Sequence, residues 1–345
     1  VEPEEAELLQ QFDLDPAVWE VTGARKSMWQ NAAGDWLMAQ KVSFKRRAAA
    51  TSLSAESVEE IMSRYTSPAK RKKYKDPTPG IESLVVPAGD LQLGKQEGGG
   101  TAATIDRFGK ITSDIADYIQ QRGGVRNLVL PWLGDCIEGI VSQNGRMLTT
   151  LDISLTEQVR VYRRLMMHQL GTLSPLAERV LLATVPGNHD ETTRMQKMPL
   201  SDSWAIEGAS AVQDWALDRP GYEHVDFVYP DHDSATITVD INGQVLSFTH
   251  GHTTGTNPAR VVDWWKGQSH GRQLPGQADI LVSAHWHHLR VLQTGGNRTW
   301  IQIPALDGGS GWFRDKTGDD IASGIASLEL GPGSATGWSN LTIWG

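Results

Sequence analysis

The sequence predicts an α/β fold over most of its length, and three observations lead there. From Ile81 onward, apolar runs of strand length alternate with amphipathic stretches of helix length. The first three apolar runs end at Gly89-Asp90, Gly134-Asp135 and Pro186-Gly187-Asn188, each a turn-forming group. Past residue 217 the apolar runs shorten and follow one another closely, a strand-rich pattern.

In chain order, the elements follow from these patterns. Residues 1–80 are expected to form an accessory region, distinct from a catalytic domain over 81–345. Its acidic start favours a short helix at Glu4–Gln11, Gly34-Asp35 can turn between two strands, and Ser54 is a candidate N-cap for a helix to Tyr65. The basic, proline-containing stretch SPAKRKKYKDPTPG then reads as a linker. The domain proper begins with strand Leu84–Ala88, helix Ile105–Gln121 and strand Asn127–Leu133. A helix near Ile153–Leu170, strand Arg179–Val185 and a helix within Ser201–Leu217 follow. Strands are then expected at Ala235–Ile241, Val245–Thr249, Ile280–Ser283, Leu289–Thr294, Thr299–Ile303 and Gly324–Leu330.

Composition narrows the function classes. With 345 residues, 39% of them hydrophobic and 21% charged, the chain can bury a sizeable core. Cys136 is its single cysteine, so intrachain disulfides and thiolate metal clusters are excluded and a reducing, cytoplasmic setting is expected. No apolar run approaches the length of a membrane span, and the acidic N-terminus is not a signal peptide. A formal net charge of −9 argues against a surface that binds nucleic acid all over.

The chemistry is expected at the strand ends. In open α/β sheets ligands collect at the carboxyl ends of strands, which would bring Asp90, Asp135 and Asn188 to one edge. Two later strands run into His250-Gly251-His252 and Ala284-His285-Trp286-His287-His288. Carboxylate, carboxamide and imidazole without thiolate suit Mn, Fe, Zn or Ni. His285 and His287 would share a face on a strand; just past a strand end they could splay apart and serve two ions, which so many candidate ligands favour.

Read in order, GDLQ, GDCIE, GNHD, THGH and AHWH resemble the five blocks of the calcineurin-like metallophosphoesterase superfamily, whose pattern is D-x-H, G-D-x-x-D/E, G-N-H-D/E, a lone His and G-H-x-H. The resemblance covers roughly Leu84–Leu306. It implies a four-layer αββα sandwich of two mixed sheets, with residues 1–80 as a small accessory region on one flank. It also implies two divalent cations, Mn first and Fe, Zn, Ni or Mg as alternatives. By position, Asp90 and His287 would bind the first, Asp135 would bridge both, and Asn188, His250 and His285 would bind the second. His189 would protonate the leaving oxygen, with Asp190 orienting it. Glu138, and less firmly His252 and His288, would contact the ligands from behind or meet substrate. The implied reaction is attack on phosphorus by a hydroxide bridging the ion pair. Gln92 stands where the family usually has a histidine ligand, so it either binds through its weaker carboxamide oxygen or leaves that site preferring harder ions. Ala284 replaces the usual glycine of the last block.

The substrate is less plainly written. Between Lys41 and Lys75, ten basic residues stand against Glu56, Glu59 and Glu60, a local charge of about +7 that hints at nucleic acid. The pattern DLQLGK, a Gly-rich loop over Gly94–Thr101, GDCIEG and LDGGS looks closest to metallophosphoesterases encoded by bacteriophages, and distantly like DNA-repair nucleases of the superfamily. That resemblance implies a nuclease hydrolysing DNA or RNA in the cytoplasm, the host's if phage-encoded. Trp312 or Phe313 could stack on a base. The alternatives are a phosphodiesterase or phosphatase acting on a small nucleotide or a phosphoprotein, and a catalytically weakened metal-binding module whose residues 1–80 bind a partner. The oligomeric state is left open.

Overall fold

A computed structural model describes residues 3–16, 19–46, 55–63, 80–141, 151–309, 318, 322–331 and 333–345. The expected basic linker, apart from Gly80, and the Trp312-Phe313 pair lie outside these residues. The chain divides into a compact unit over Val1–Ser52 and a larger one over Leu53–Gly345.

The small unit is one helix and one hairpin. Helix α1 covers Pro3–Gln11, and strands β1 (Trp19–Gln30) and β2 (Trp36–Arg46) pair antiparallel. The expected turn at Gly34-Asp35 forms because the Asn31 side chain accepts from the backbone N–H of Ala33 and of Asp35 at 2.9 and 2.8 Å. Leu9 is buried and Phe12 meets Phe44 edge-on at 5.1 Å. Toward its tip the hairpin leaves Met28, Trp29, Trp36, Leu37 and Met38 exposed.

The large unit is the four-layer sandwich. After α2 (Ala55–Ser63) come β3 (Ile81–Val85), α3 (Gly100–Gln121), β4 (Val125–Trp132), α4 (Leu155–Leu173), β5 (Ala177–Thr184), α5 (Trp204–Leu217) and β6 (Val225–Val228). Next are β7 (Thr236–Ile241), β8 (Gln244–Thr249), α6 (Arg260–His270), β9 (Ile280–Ser283), β10 (Arg290–Gln293), β11 (Thr299–Gln302), β12 (Ile325–Leu330) and β13 (Trp338–Trp344). One mixed sheet runs β13-β12-β3-β4-β5-β6, parallel from β3 to β6; the other runs β10-β11-β9-β8-β7, parallel only across β11-β9-β8.

Strand alternation assigns the layers. Val85, Val129 and Ala183 from the first sheet share one core with Phe248, Ile280, Val282 and Ile301 from the second, so the sheets pack face to face. Leu84, Leu128 and Leu182 point the other way, into a core with Ile105, Phe108, Leu165 and Val212 of the helices. Leu281 and Trp300 pack against Val261 and Trp265 of α6 on the outer face of the second sheet. Because the inner strands of both sheets are covered on both faces, they read as continuous apolar runs, which is why the sequence exposed them. Around Trp132, Phe108 and Tyr162 lie at centroid distances of 5.5 and 5.4 Å, and Trp132 Nε1 donates to Gln169 Oε1 at 3.0 Å. Each such ring pair contributes about 1 kcal/mol beyond burial and fixes the strand end that delivers Asp135.

Two expectations shift. α3 begins at Gly100, five residues early, because the buried Asp152 carboxylate accepts from the Thr101 N–H at 2.6 Å and from its hydroxyl at 2.7 Å. A carboxylate at a helix start also answers the helix dipole. The Gly-rich stretch therefore becomes a short turn, Glu97–Gly99, and the first turn of a helix. α4 begins beside Ser154, which forms a capping box with Glu157. Among the described residues, no helix is long and apolar enough to cross a membrane.

Candidate metal centre

The site residues sit just beyond the ends of β3, β4, β5, β8 and β9, all in the large unit. The turns that carry them are tied to one another by backbone bonds: Leu133 N to Ala88 O at 2.7 Å, Asp90 N to Gly134 O at 3.1 Å, Val185 N to Trp132 O at 3.0 Å and Ala284 N to His250 O at 3.0 Å. Asp90, Gln92, Asp135, His285 and His287 all hold left-handed backbone, with φ between 44° and 73°. Non-glycine residues occupy that region at a cost, and such residues gather where side chains must be aimed.

Close approach sets a steric limit here. A Cβ on Gly187 would lie 2.2 Å from both the backbone N and Oδ1 of Asp135. Gly187→Ala is therefore expected to push the two ligand loops apart. It should destabilise the fold by about 1–3 kcal/mol and weaken metal binding with it, read by denaturant unfolding and metal titration. Wild-type stability in the variant would remove the steric claim.

Four donors converge. Asp135 Oδ2 lies 3.1 Å from His250 Nε2, which is 3.1 Å from His285 Nδ1 and 3.2 Å from Asn188 Oδ1. The Asp135, His250 and His285 donor atoms all fall within 4.8 Å of one another. Bonds of about 2.1 Å from one ion, meeting at roughly right angles, leave donors about 3 Å apart. His250 places its Nδ1 2.7 Å from the Leu133 carbonyl oxygen, which selects the tautomer with Nε2 free for a cation.

A second pocket of donors adjoins the first. Asp90 Oδ2 accepts from the His285 N–H at 2.8 Å, while Asp90 Oδ1 is buried without a hydrogen-bond partner, 3.4 Å from His287 Nε2. An orphaned buried carboxylate oxygen facing an imidazole is what a cation between them would satisfy. These residues therefore fit divalent ions at both places. His287 presents its other nitrogen to Asp307, 3.6 Å away. Asp307 was not among the residues expected from the sequence to act; it follows β11 in a segment without a metal-binding spacing.

Burial opposes the charged forms of His250 and His287, but Asp135 pushes His250 up to about 9 and Asp90 raises His287, so a cation there would take the place of those protons. Burial would raise Asp135 and Asp90, yet His250 and His189 around the first and His287 beside the second outweigh it, so both carboxyls stay ionised. Burial first, then the neighbouring His250, pushes His285 down to about 4 and His252 down to about 3. Both rings are neutral at pH 7, and neutral imidazole is the form that binds metals.

His189 stands at the rim, 18% exposed, with Nε2 3.9 Å from Asp135 Oδ2. Its Nδ1 lies 3.2 Å from the Glu138 carbonyl oxygen and 3.4 Å from the Glu138 carboxylate. Burial opposes its charged form, but Asp135 and Glu138 prevail and push His189 up to about 10. Asp190 is placed differently from expectation. Its carboxylate accepts from the backbone N–H groups of Asp135 at 2.6 Å, Cys136 at 3.1 Å and Gly187 at 3.1 Å, so it braces the loops while Glu138 flanks His189. Burial and then Asp135 push Asp190 up to about 7, against these bonds. Gln92 Oε1 accepts from Lys95 Nζ at 3.1 Å. His252 lies behind the donors, its ring 5.3 Å from that of His250 and 6.3 Å from that of His285. His288 bonds the Trp286 carbonyl through Nδ1. Beside the centre opens a cleft of about 560 Å³, lined among others by Gly187, Glu191, Arg194, Lys197, Met198 and His252.

No protein-family model matches the chain, and no curated protein does. Among solved structures it is similar to Vacuolar Protein Sorting 29 from Cryptosporidium parvum, at 15% identity and a TM-score of 0.34 over 76% of this chain and 97% of that one. It is similar also to wild-type Vps29 complexed with Zn from Entamoeba histolytica, at 12% identity and a TM-score of 0.34 over 76% and 99%. A third likeness is to a predicted phosphoesterase from Streptococcus pneumoniae, at 10% identity and a TM-score of 0.29 over 72% and 83%. At such TM-scores the reading of the centre rests on its own geometry.

Proposed function

We propose that this protein is a metal-dependent phosphodiesterase that hydrolyses nucleic acid. The observation that carries this reading is the convergence of Asp135, Asn188, His250 and His285 at 3.1–3.2 Å spacings beside a protonatable, half-open His189. Asp135, Asn188, His250 and His285 would hold one divalent cation, with Asp90, Asp135 and His287 around a second; Mn suits this oxygen and nitrogen set. Bound there, the cations supply Lewis-acid charge for phosphoryl oxygens and for acidifying water. The chain's own residues do the rest. His189, anchored through Nδ1 by Glu138, keeps Nε2 toward the centre as the proton donor to the leaving oxygen. Asp190 holds the Asp135 and Gly187 loops in register.

The small unit supports a polymeric substrate. By register, Trp29, Arg25 and Lys41 lie on one face of the hairpin, Trp36 and Lys26 on the other, and all are exposed. Exposed aromatic rings beside cations are what stack bases and track phosphates of single strands.

The test is Mn-dependent hydrolysis of fluorescent single- and double-stranded DNA and RNA, run beside bis-p-nitrophenyl phosphate. Polymer cleavage is the expected result. Cleavage of the small diester alone would move the substrate to a small nucleotide, and silence on every substrate would sink the enzymatic reading.

A further inference from the structure

Lys95 is an unassigned cation inside the centre. Its side chain is only 10% exposed and its ammonium pairs with the buried Asp307 carboxylate. Asp307 in turn faces His287 at 3.6 Å, and its backbone N–H donates to Asp90 O at 3.1 Å. The same ammonium donates to Gln92 Oε1 at 3.1 Å. The two loops that bring Lys95 and Asp307 together are locked. Gly98 and Gly308 pack so closely that a Cβ on either would strike the other's backbone at 2.0–2.3 Å, and Arg107 donates to Leu306 O at 3.2 Å. Lys95 is therefore a built part of the site.

Its consequence concerns the donors it takes. A carboxamide oxygen that accepts from an ammonium cannot lend the same lone pairs to a divalent ion without setting two cations side by side, at a Coulombic cost in a buried site. Asp307, neutralised by Lys95, likewise brings no net negative charge. We propose that Lys95 withdraws Gln92 and Asp307 from coordination, so that this chain has one tight divalent-ion site, at Asp135, Asn188, His250 and His285, and one weak site at Asp90, His287 and the shared Asp135. This rests on the metal reading above and refines it: the second ion binds and leaves while the first stays, and Lys95 sets the difference.

Metal titration decides the matter without reference to activity. Calorimetric titration of the metal-free full chain with Mn is expected to show one ion bound tightly and a second at least about tenfold more weakly. Lys95→Met should strengthen the weak ion by about tenfold or more and leave the tight one unchanged. Gln92→Met, which keeps Lys95 and so guards against a misfolded first variant, should leave both affinities within about twofold of wild type. Two ions of equal affinity in wild type, a second ion weakened or unmoved by Lys95→Met, or one weakened tenfold by Gln92→Met would each overturn the proposal. Those outcomes leave the metal centre standing. Failure of any version to bind Mn would remove the metal reading itself, and this proposal with it.

Discussion

Asp135→Asn is expected to abolish tight metal binding and to lower kcat/KM by about three orders of magnitude or more, the scale on which losing one electrostatic stabiliser of a transition state lowers kcat. The substitution is nearly isosteric, so its effect isolates charge and donor type. The introduced carboxamide could still accept the His189 backbone N–H that Asp135 Oδ1 now takes at 2.7 Å. Where Asp135 Oδ2 now lies, 3.1 Å from His250 Nε2, it would present an amide –NH₂, which cannot ligate a cation. Stability gives a second readout. Mn at a hundred times its dissociation constant should stabilise the wild type by about 2.7 kcal/mol, seen as a rise in Tm. The variant should show no Mn-dependent rise. A variant that kept both the rise and the activity would remove Asp135 from the centre.

How much of this centre was legible before the structure depended on what each residue's role needed. Strands β3, β4, β5, β8 and β9 announce themselves as apolar runs because both their faces are covered, and the donors stand where those runs stop. Local sequence is enough to find them. Two elements with little buried surface were missed: β13, Trp338–Trp344, alternates Trp, Asn and Thr, and α6, Arg260–His270, buries only Val261 and Trp265. β6 is only four residues long, too short to register as a strand despite Pro220-Gly221 before it and Pro230-Asp231 after it.

Side-chain partners were least legible, since distance along the chain hides them. Asp190 follows His189 directly, so the family resemblance made it that ring's partner, yet its oxygens meet backbone N–H groups 53–55 residues away. Lys95 lies three residues from Gln92, but Asp307, which holds its ammonium, is 212 residues further on. No spacing rule reaches across that gap; the packing of Gly98 on Gly308 and the bonds from Arg107 to Leu306 and from Asp307 to Asp90 close it.

His189→Gln is expected to lower kcat on a polymeric substrate by about 10²–10⁴, the usual contribution of a positioned proton donor, with Mn affinity and the Mn-dependent rise in Tm unchanged. The reasoning is geometric. His189 is a rim residue whose Nε2 lies 3.9 Å from Asp135, whereas the four converging donors hold one another at 3.1–3.2 Å without it. Its proton is secured from the other side, through Nδ1 and Glu138. A cation on Asp135 would cancel part of the attraction that raises His189, and Glu138 would retain the rest. The leaving group makes the role separable from mere loss of packing. A sugar alkoxide must be protonated as it departs, whereas p-nitrophenolate is stable without a proton, so the variant's deficit on bis-p-nitrophenyl phosphate should be far smaller than on DNA or RNA. Equal deficits on both substrates would deny His189 the role of acid, and lost metal with lost activity would make it a structural prop of the centre instead.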